Sequence, residues 1–240
     1  VNEDYEEGVK VLLQWMDEVE VITAQGWSLL GQAYFQLGTD KKSESEKLDY
    51  YEKALESMLN AVQTAELEEY KPKENWYVLM AACYSELSSR IGKEESLYKQ
   101  LDIYEILVNL YPKKMYFIQL GGIYGQLNRE LDYMITLNAA YQKDLLDKES
   151  EYLALTQLLL LNNNPYWAAK VLEAGRIKKV PVIDEKTKEE KILPVVKDNE
   201  KNLKLLADAW RMAQEIELAI PIMEKAAKLA KDGQTFIILG

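Results

Sequence analysis

Residues 27–34 read WSLLGQAY, and the spacing of their Trp27, Leu30, Gly31 and Tyr34 returns at Phe117, Leu120, Gly121 and Tyr124 in FIQLGGIY. Phe236, Leu239 and Gly240 begin the same pattern at the end of the sequence. Weaker copies open at Trp76 (WYVLMAAC), Tyr152 (YLALTQLL) and Leu203 (LKLLADAW), each with an aromatic or Leu start. An aromatic, a Leu three on and a small residue next to it fall on one side of a helix, which is what packing against a second helix requires. The partner helix of each copy carries small, large and small residues at four- and three-residue steps: Ala54, Met58 and Ala61; Ala168, Leu172 and Gly175; Ala219, Met223 and Ala226. Tyr104 and Leu107 before Pro112, and Tyr133, Leu137 and Ala140, complete the set.

The step from Phe117 to Tyr152 is 35 residues and that from Leu203 to Phe236 is 33, close to the period of about 34 known for one class of helical repeat. The other steps are 49, 41 and 51, and their excess is locatable. GTDKKSESEK (38–47) and SRIGKEES (89–96) are charged and turn-rich, and read as loop or solvated helix extension between the helices of a pair. In PVIDEKTKEEKILPV (181–195) apolar ends flank a charged centre, which admits a β-hairpin but favours a plain loop. The three insertions thus fall near 38–49, 89–97 and 181–198 of a single array over residues 1–240. YEEGVKVLLQWM (5–16) has helical spacing and stands where the second helix of a preceding pair belongs. About five units with partial units at both ends are expected, as in a piece of a longer array.

Composition narrows the function. With no His in 240 residues, His-based triads, His-ligated metals and His proton shuttles are excluded. One cysteine, Cys83, excludes an intrachain disulfide and paired-cysteine zinc or redox sites. A net charge of −11 with no long Lys/Arg run argues against nucleic acid, and no apolar run approaches the ~20 residues of a membrane span. There is no Gly-rich phosphate loop, and the carboxylates at Glu66, Glu68, Glu69, Glu94 and Glu95 lack calcium-loop spacing and read as a solvated face. No enzyme, metal or cofactor is expected within these residues.

The strings at 27–34 and 117–124 resemble the opening of the tetratricopeptide (TPR) unit, and the resemblance runs over roughly residues 3–240. It implies an all-α, TPR-type right-handed superhelical solenoid of antiparallel helix pairs, whose first helices line a concave groove that binds peptides or partner helices. The stretches from Met115 to Glu173 and from Asn202 to Gly233 also look like bacterial TPR proteins described as candidate components of TonB energy-transduction systems. That narrower resemblance implies a periplasmic or envelope-associated scaffold, with TonB/ExbB/ExbD-type components as partners; without it a cytoplasmic location stands.

In the TPR register, groove positions are one place after each opening aromatic, then four and seven further. They are Ser28, Gln32 and Phe35; Tyr77, Ala81 and Tyr84; Ile118, Gly122 and Gly125; Leu153, Gln157 and Leu160; Lys204, Asp208 and Arg211. Aromatics, aliphatics and amides suit apolar anchors backed by a few hydrogen bonds; the bland alternative is that they only touch the neighbouring helix. TPR adaptors that grip a chaperone's C-terminal carboxylate use Lys and Asn where this sequence has Ser28 and Gln32, so that clamp is rejected. Trp27, Trp76 and Tyr34 are read as core, and Cys83 as a buried small apolar residue. Asn164 is read as an N-cap ahead of Pro165. Two rival functions stay open: a peptide or small-ligand sensor regulating a separate output domain, and a substrate-selecting array attached to an enzyme lying elsewhere. End-to-end stacking of arrays is a route to oligomers.

Overall fold

The computed structural model describes residues 2–183 and 188–230, so Phe236, Leu239 and Gly240 lie outside the described residues. The chain forms two compact units that divide between Asn128 and Arg129. The first holds α1 (Asn2–Glu18), α2 (Ala24–Asp40), α3 (Glu44–Leu67), α4 (Glu74–Glu86), the single turn α5 (Ser88–Ile91), α6 (Lys93–Leu110) and α7 (Lys114–Gln126). The second holds α8 (Glu130–Gln142), α9 (Glu149–Leu161), α10 (Pro165–Ile177), β1 (Lys179–Ile183), β2 (Glu190–Pro194), α11 (Glu200–Met212) and α12 (Ile216–Leu229). Within each unit consecutive helices pack on one another, joined by short turns except where β1 and β2 lie between α10 and α11. The architecture is all-α, of successive helices packed against one another.

The expected helix register holds in the packing. Ala54, Met58 and Ala61 of α3, and Ala168 and Leu172 of α10, are buried, as are Ala219, Met223 and Ala226 of α12. Gly31 shows why the opening motif needs a residue without a side chain. A Cβ there would lie 2.8 Å from the Met58 Sδ-methyl carbon and 3.1 Å from the Ala54 carbonyl oxygen. The approach of α2 to α3 is thus set by the missing methyl. The α1 helix packs on α2 through Val9 and Met16, where a preceding second helix was expected.

The turns repeat as regularly as the helices. After α3, α8, α9 and α11, residues Glu69, Asp144, Asn163 and Gln214 adopt positive φ. The next residue's N–H donates back to the carbonyl five residues earlier: Tyr70 to Ala65, Leu145 to Ala140, Asn164 to Leu159 and Glu215 to Trp210. This 6→1 closure satisfies carbonyls that a helix end would leave orphaned. Asn164 stands at the N-cap position before Pro165, but its side chain donates to the Asn162 carbonyl at 3.0 Å and caps nothing.

The first two insertions are mostly helix. Residues 38–47 lengthen α2 and α3, and residues 89–96 are α5 and the start of α6, with Gly92 between. The third departs from the favoured loop: β1 and β2 form an antiparallel hairpin, Val180 opposite Leu193 and Val182 opposite Lys191. Val195 N–H donates to the Lys178 carbonyl at 2.9 Å and fixes the ladder's alternation. Pro181 and Pro194 then occupy non-hydrogen-bonded positions, where the lost N–H breaks no ladder bond and blunts the outer edges.

Candidate functional site

The row of candidates on each first helix divides into sealed and open residues. Ser28, Tyr77 and Ala81 are buried, at 0 %, 4 % and 3 % exposure. They are packing residues, and Tyr77 and Ala81 belong to the cluster built by α2, α3, α4, α6 and α7. The register of a single helix cannot show that neighbouring helices cover them. Gln32 is exposed, with its amide turned back onto Ser28, donating to the Oγ at 2.9 Å and to the carbonyl at 3.2 Å. Phe35 is half-buried, its ring 5.2 Å from that of Tyr51. Tyr84 is half-buried beside α6, and burial raises its phenol above the ordinary value.

The α7 row is the most open in the first unit. Met115 is 58 % exposed, Ile118 half-buried, and Gly122 and Gly125 exposed. Their spacing of three, four and three keeps them on one side of the helix. A Cβ built on Gly122 would meet nothing within 4 Å. In the second unit Leu153 and Leu160 are half-buried and Gln157 exposed. The charged candidates of α11 are occupied along their own helix: Lys204 pairs with Glu200 at 2.8 Å and Arg211 with Asp208 at 3.1 Å. Solvent-exposed pairs of this kind contribute ~0.5 kcal/mol or less.

The residues read as core separate likewise. Trp76 is sealed at 1 % exposure, whereas Trp27 and Tyr34 are half-buried at the edges of their clusters. Cys83 is fully enclosed, and burial pushes its thiol up to about 12. We therefore expect a soluble disulfide reagent to leave Cys83 untouched in native protein and to titrate it only as urea unfolds the first unit. Fast native-state reaction would contradict the burial. The carboxylates Glu66, Glu68, Glu69, Glu94 and Glu95 are all exposed. Among the described residues no group of three or more Cys, Asp and Glu is placed to hold a metal ion, and no described helix is long and apolar enough to cross a membrane.

Four ties that the sequence did not announce hold the turns of the first unit. The Tyr116 hydroxyl donates to the Glu74 carboxylate, which also takes Lys113 at 2.7 Å. Lys113, then Tyr116, hold the Glu74 carboxyl below its usual value. The Tyr111 hydroxyl donates to the Pro72 carbonyl at 2.6 Å, and the Lys71 ammonium lies 3.9 Å from the Tyr111 ring centroid. In the second unit Asp198 accepts from Arg176 of α10 at 2.6 Å and also pairs with Lys225 of α12. Arg176 is the main reason its carboxyl falls to about 2.

No family profile and no curated protein matches this sequence. Among solved structures, MamA of AMB-1 is similar at 13 % identity over 87 % of this chain and 96 % of its own, with a TM-score of 0.46. BtubC of P. vanneervenii shares 14 % identity over 95 % of this chain and 89 % of its own, at a TM-score of 0.38. A kinesin light chain with TPR-like repeats from Podospora anserina shares 14 % over 87 % and 97 %, at 0.37. At these identities and TM-scores the likeness does not extend to what any of these proteins binds.

Proposed function

We propose that this chain is a non-enzymatic protein-interaction scaffold, a single repeat array over residues 1–240 that receives a peptide or helix of a partner protein. The observation that supports it most is the open row on α7. A mid-helix glycine costs about 0.5–1 kcal/mol relative to Ala, and Gly122 has no packing neighbour to account for that cost. With Met115 and Ile118 beside it, the row offers apolar contact and room for close approach of another chain. Phe35 and Tyr84 on α2 and α4 extend the apolar, uncharged character of the candidate residues. The finer reading, drawn from the resemblance of 115–173 and 202–233, is an envelope scaffold whose partners are TonB/ExbB/ExbD-type components.

The test is capture from a bacterial envelope extract with the full chain beside Ile118→Glu and Gly122→Glu, bound proteins being identified by mass spectrometry. Gly122 is exposed and Ile118 only half-buried, so the thermal midpoint should move by less than about 4 °C, the shift that ~1 kcal/mol produces in a domain of this size. We expect a discrete set of proteins to be retained by the native chain and lost from both variants. Energy-transduction components in that set would support the envelope reading. Identical recovery by all three proteins would remove α7 as the docking face.

A further inference from the structure

The second unit carries a cleft of about 460 Å³, bounded by Tyr141, Gln142 and Asp144 at the end of α8, Tyr152 of α9, and Ile177 and Lys178 at the end of α10. Tyr152 is only 2 % exposed. Of the buried tyrosines, Tyr116 and Tyr124 spend their hydroxyls inside the protein, on Glu74 and Glu105, whereas Tyr51, Tyr77 and Tyr152 do not. The Tyr152 hydroxyl has no such acceptor among the described residues, and it is not sealed from solvent either; it opens on the cleft. Its ring does the packing, edge-on to Tyr141 at 6.0 Å and against Gly175, where a Cβ would lie 2.7 Å from the ring. The corresponding place in the copy at 117–124 is filled by Phe117, so the repeat itself does not require a hydroxyl.

The charges around the cleft decide what it can hold. Lys178 has spent its three N–H groups, on the Asp144 carboxylate at 2.6 Å, the Asp144 carbonyl at 3.0 Å and the Leu146 carbonyl at 2.8 Å. It therefore has no donor left for an anion. The Asp144 side chain is 85 % exposed and engages Lys178 through one oxygen, leaving the other to the cleft. Burial first, then the negative charges of Asp144, Glu151 and Asp147, push the Tyr152 phenol up to about 12. The field at that hydroxyl favours positive charge. Ile177, 77 % exposed, supplies an apolar wall, and the Tyr141 ring a π-face.

We propose that this cleft binds a guanidinium or ammonium group carried on an aliphatic stem. The cation donates to the Tyr152 hydroxyl and the free Asp144 oxygen and lies near the Tyr141 ring, while the stem covers Ile177. Such a group has two sources, a free amine or an Arg or Lys side chain of a partner protein. The proposal does not rest on partner binding at α7.

The test titrates the full chain with agmatine and with acetyl-Gly-Arg-Gly-amide, against acetyl-Gly-norleucine-Gly-amide and acetyl-Gly-Glu-Gly-amide, followed by calorimetry and by the Ile177 methyl resonances. Both cations should shift Ile177 saturably, and the norleucine and glutamate peptides should not. Tyr152→Phe should keep its thermal midpoint, since its hydroxyl bonds nothing in the protein, yet weaken cation binding at least about tenfold, as loss of one hydrogen bond to a charged donor does. Asp144→Asn should weaken it comparably. Tighter binding of the peptide would assign the cleft to a partner side chain, and tighter binding of agmatine to a free amine; either supports the cation site. Unchanged affinity in Tyr152→Phe, equal binding of the norleucine or glutamate peptide, or no saturable shift from either cation would overturn it.

Discussion

Trp76→Ala should lower the stability of the first unit by about 3–5 kcal/mol, the usual cost of deleting a fully enclosed indole, read as a fall in the urea midpoint of unfolding. Trp76 is 1 % exposed and packs among Ala24, Met58, Ala61, Met80, Ile103, Leu107 and Tyr116, residues from α2, α3, α4, α6 and α7. A cavity left there opens inside a cluster built by every long helix of the unit except α1, so no single element can shift to fill it. The indole nevertheless carries a liability. Its Nε1–H is sealed from solvent and has no acceptor. An unpaired buried donor costs about 1–3 kcal/mol, and Trp76→Phe removes that donor while keeping most of the apolar contact. Trp76→Phe should therefore cost less than half of the alanine loss. Equal losses for the two variants would mean that the N–H is satisfied and that only volume matters.

How far the sequence led depends on what each residue's neighbours leave visible. Trp27, Leu30, Gly31 and Tyr34 announced a helix that packs closely on another, because the spacing of those residue types is itself the packing requirement. The same logic gave Ala54, Met58 and Ala61. It did not reveal that Ser28, Tyr77 and Ala81 are enclosed, since the register of one helix carries no information about how near its neighbours stand. Trp27 and Tyr34 show the converse, being motif residues that end up at a cluster's edge. The hairpin was admitted but placed behind a loop, because apolar ends around a charged centre fit either; the ladder decides it and puts Pro181 and Pro194 where no N–H is needed. The turns were hidden because Glu69, Asp144 and Gln214 take a left-handed conformation usually left to Gly or Asn. The Tyr152 cleft had no signal at all, because a tyrosine at an opening position looks like every other aromatic there until its hydroxyl is traced.

Trp210 in the second unit is the counterpart that separates volume from hydrogen bonding. It is fully buried, edge-on to Tyr166 at 5.4 Å, with the Lys170 ammonium 5.1 Å from its ring centroid. Unlike Trp76, its Nε1–H donates to the Glu173 carboxylate, at 3.2 Å. Trp210→Ala should again cost about 3–5 kcal/mol, with the aromatic contact to Tyr166 adding about 0.5–1 kcal/mol. Trp210→Phe breaks a hydrogen bond instead of relieving a vacant donor. Water can reach Glu173, whose side chain is 31 % exposed, so the lost bond costs about 1 kcal/mol and not the full penalty of a sealed partner. The two phenylalanine variants should thus rank in a fixed order on one urea gradient, Trp210→Phe losing more than Trp76→Phe although the volume removed is the same. The reverse order would show that cavity shape, and not the fate of the indole N–H, sets the difference between these two cores.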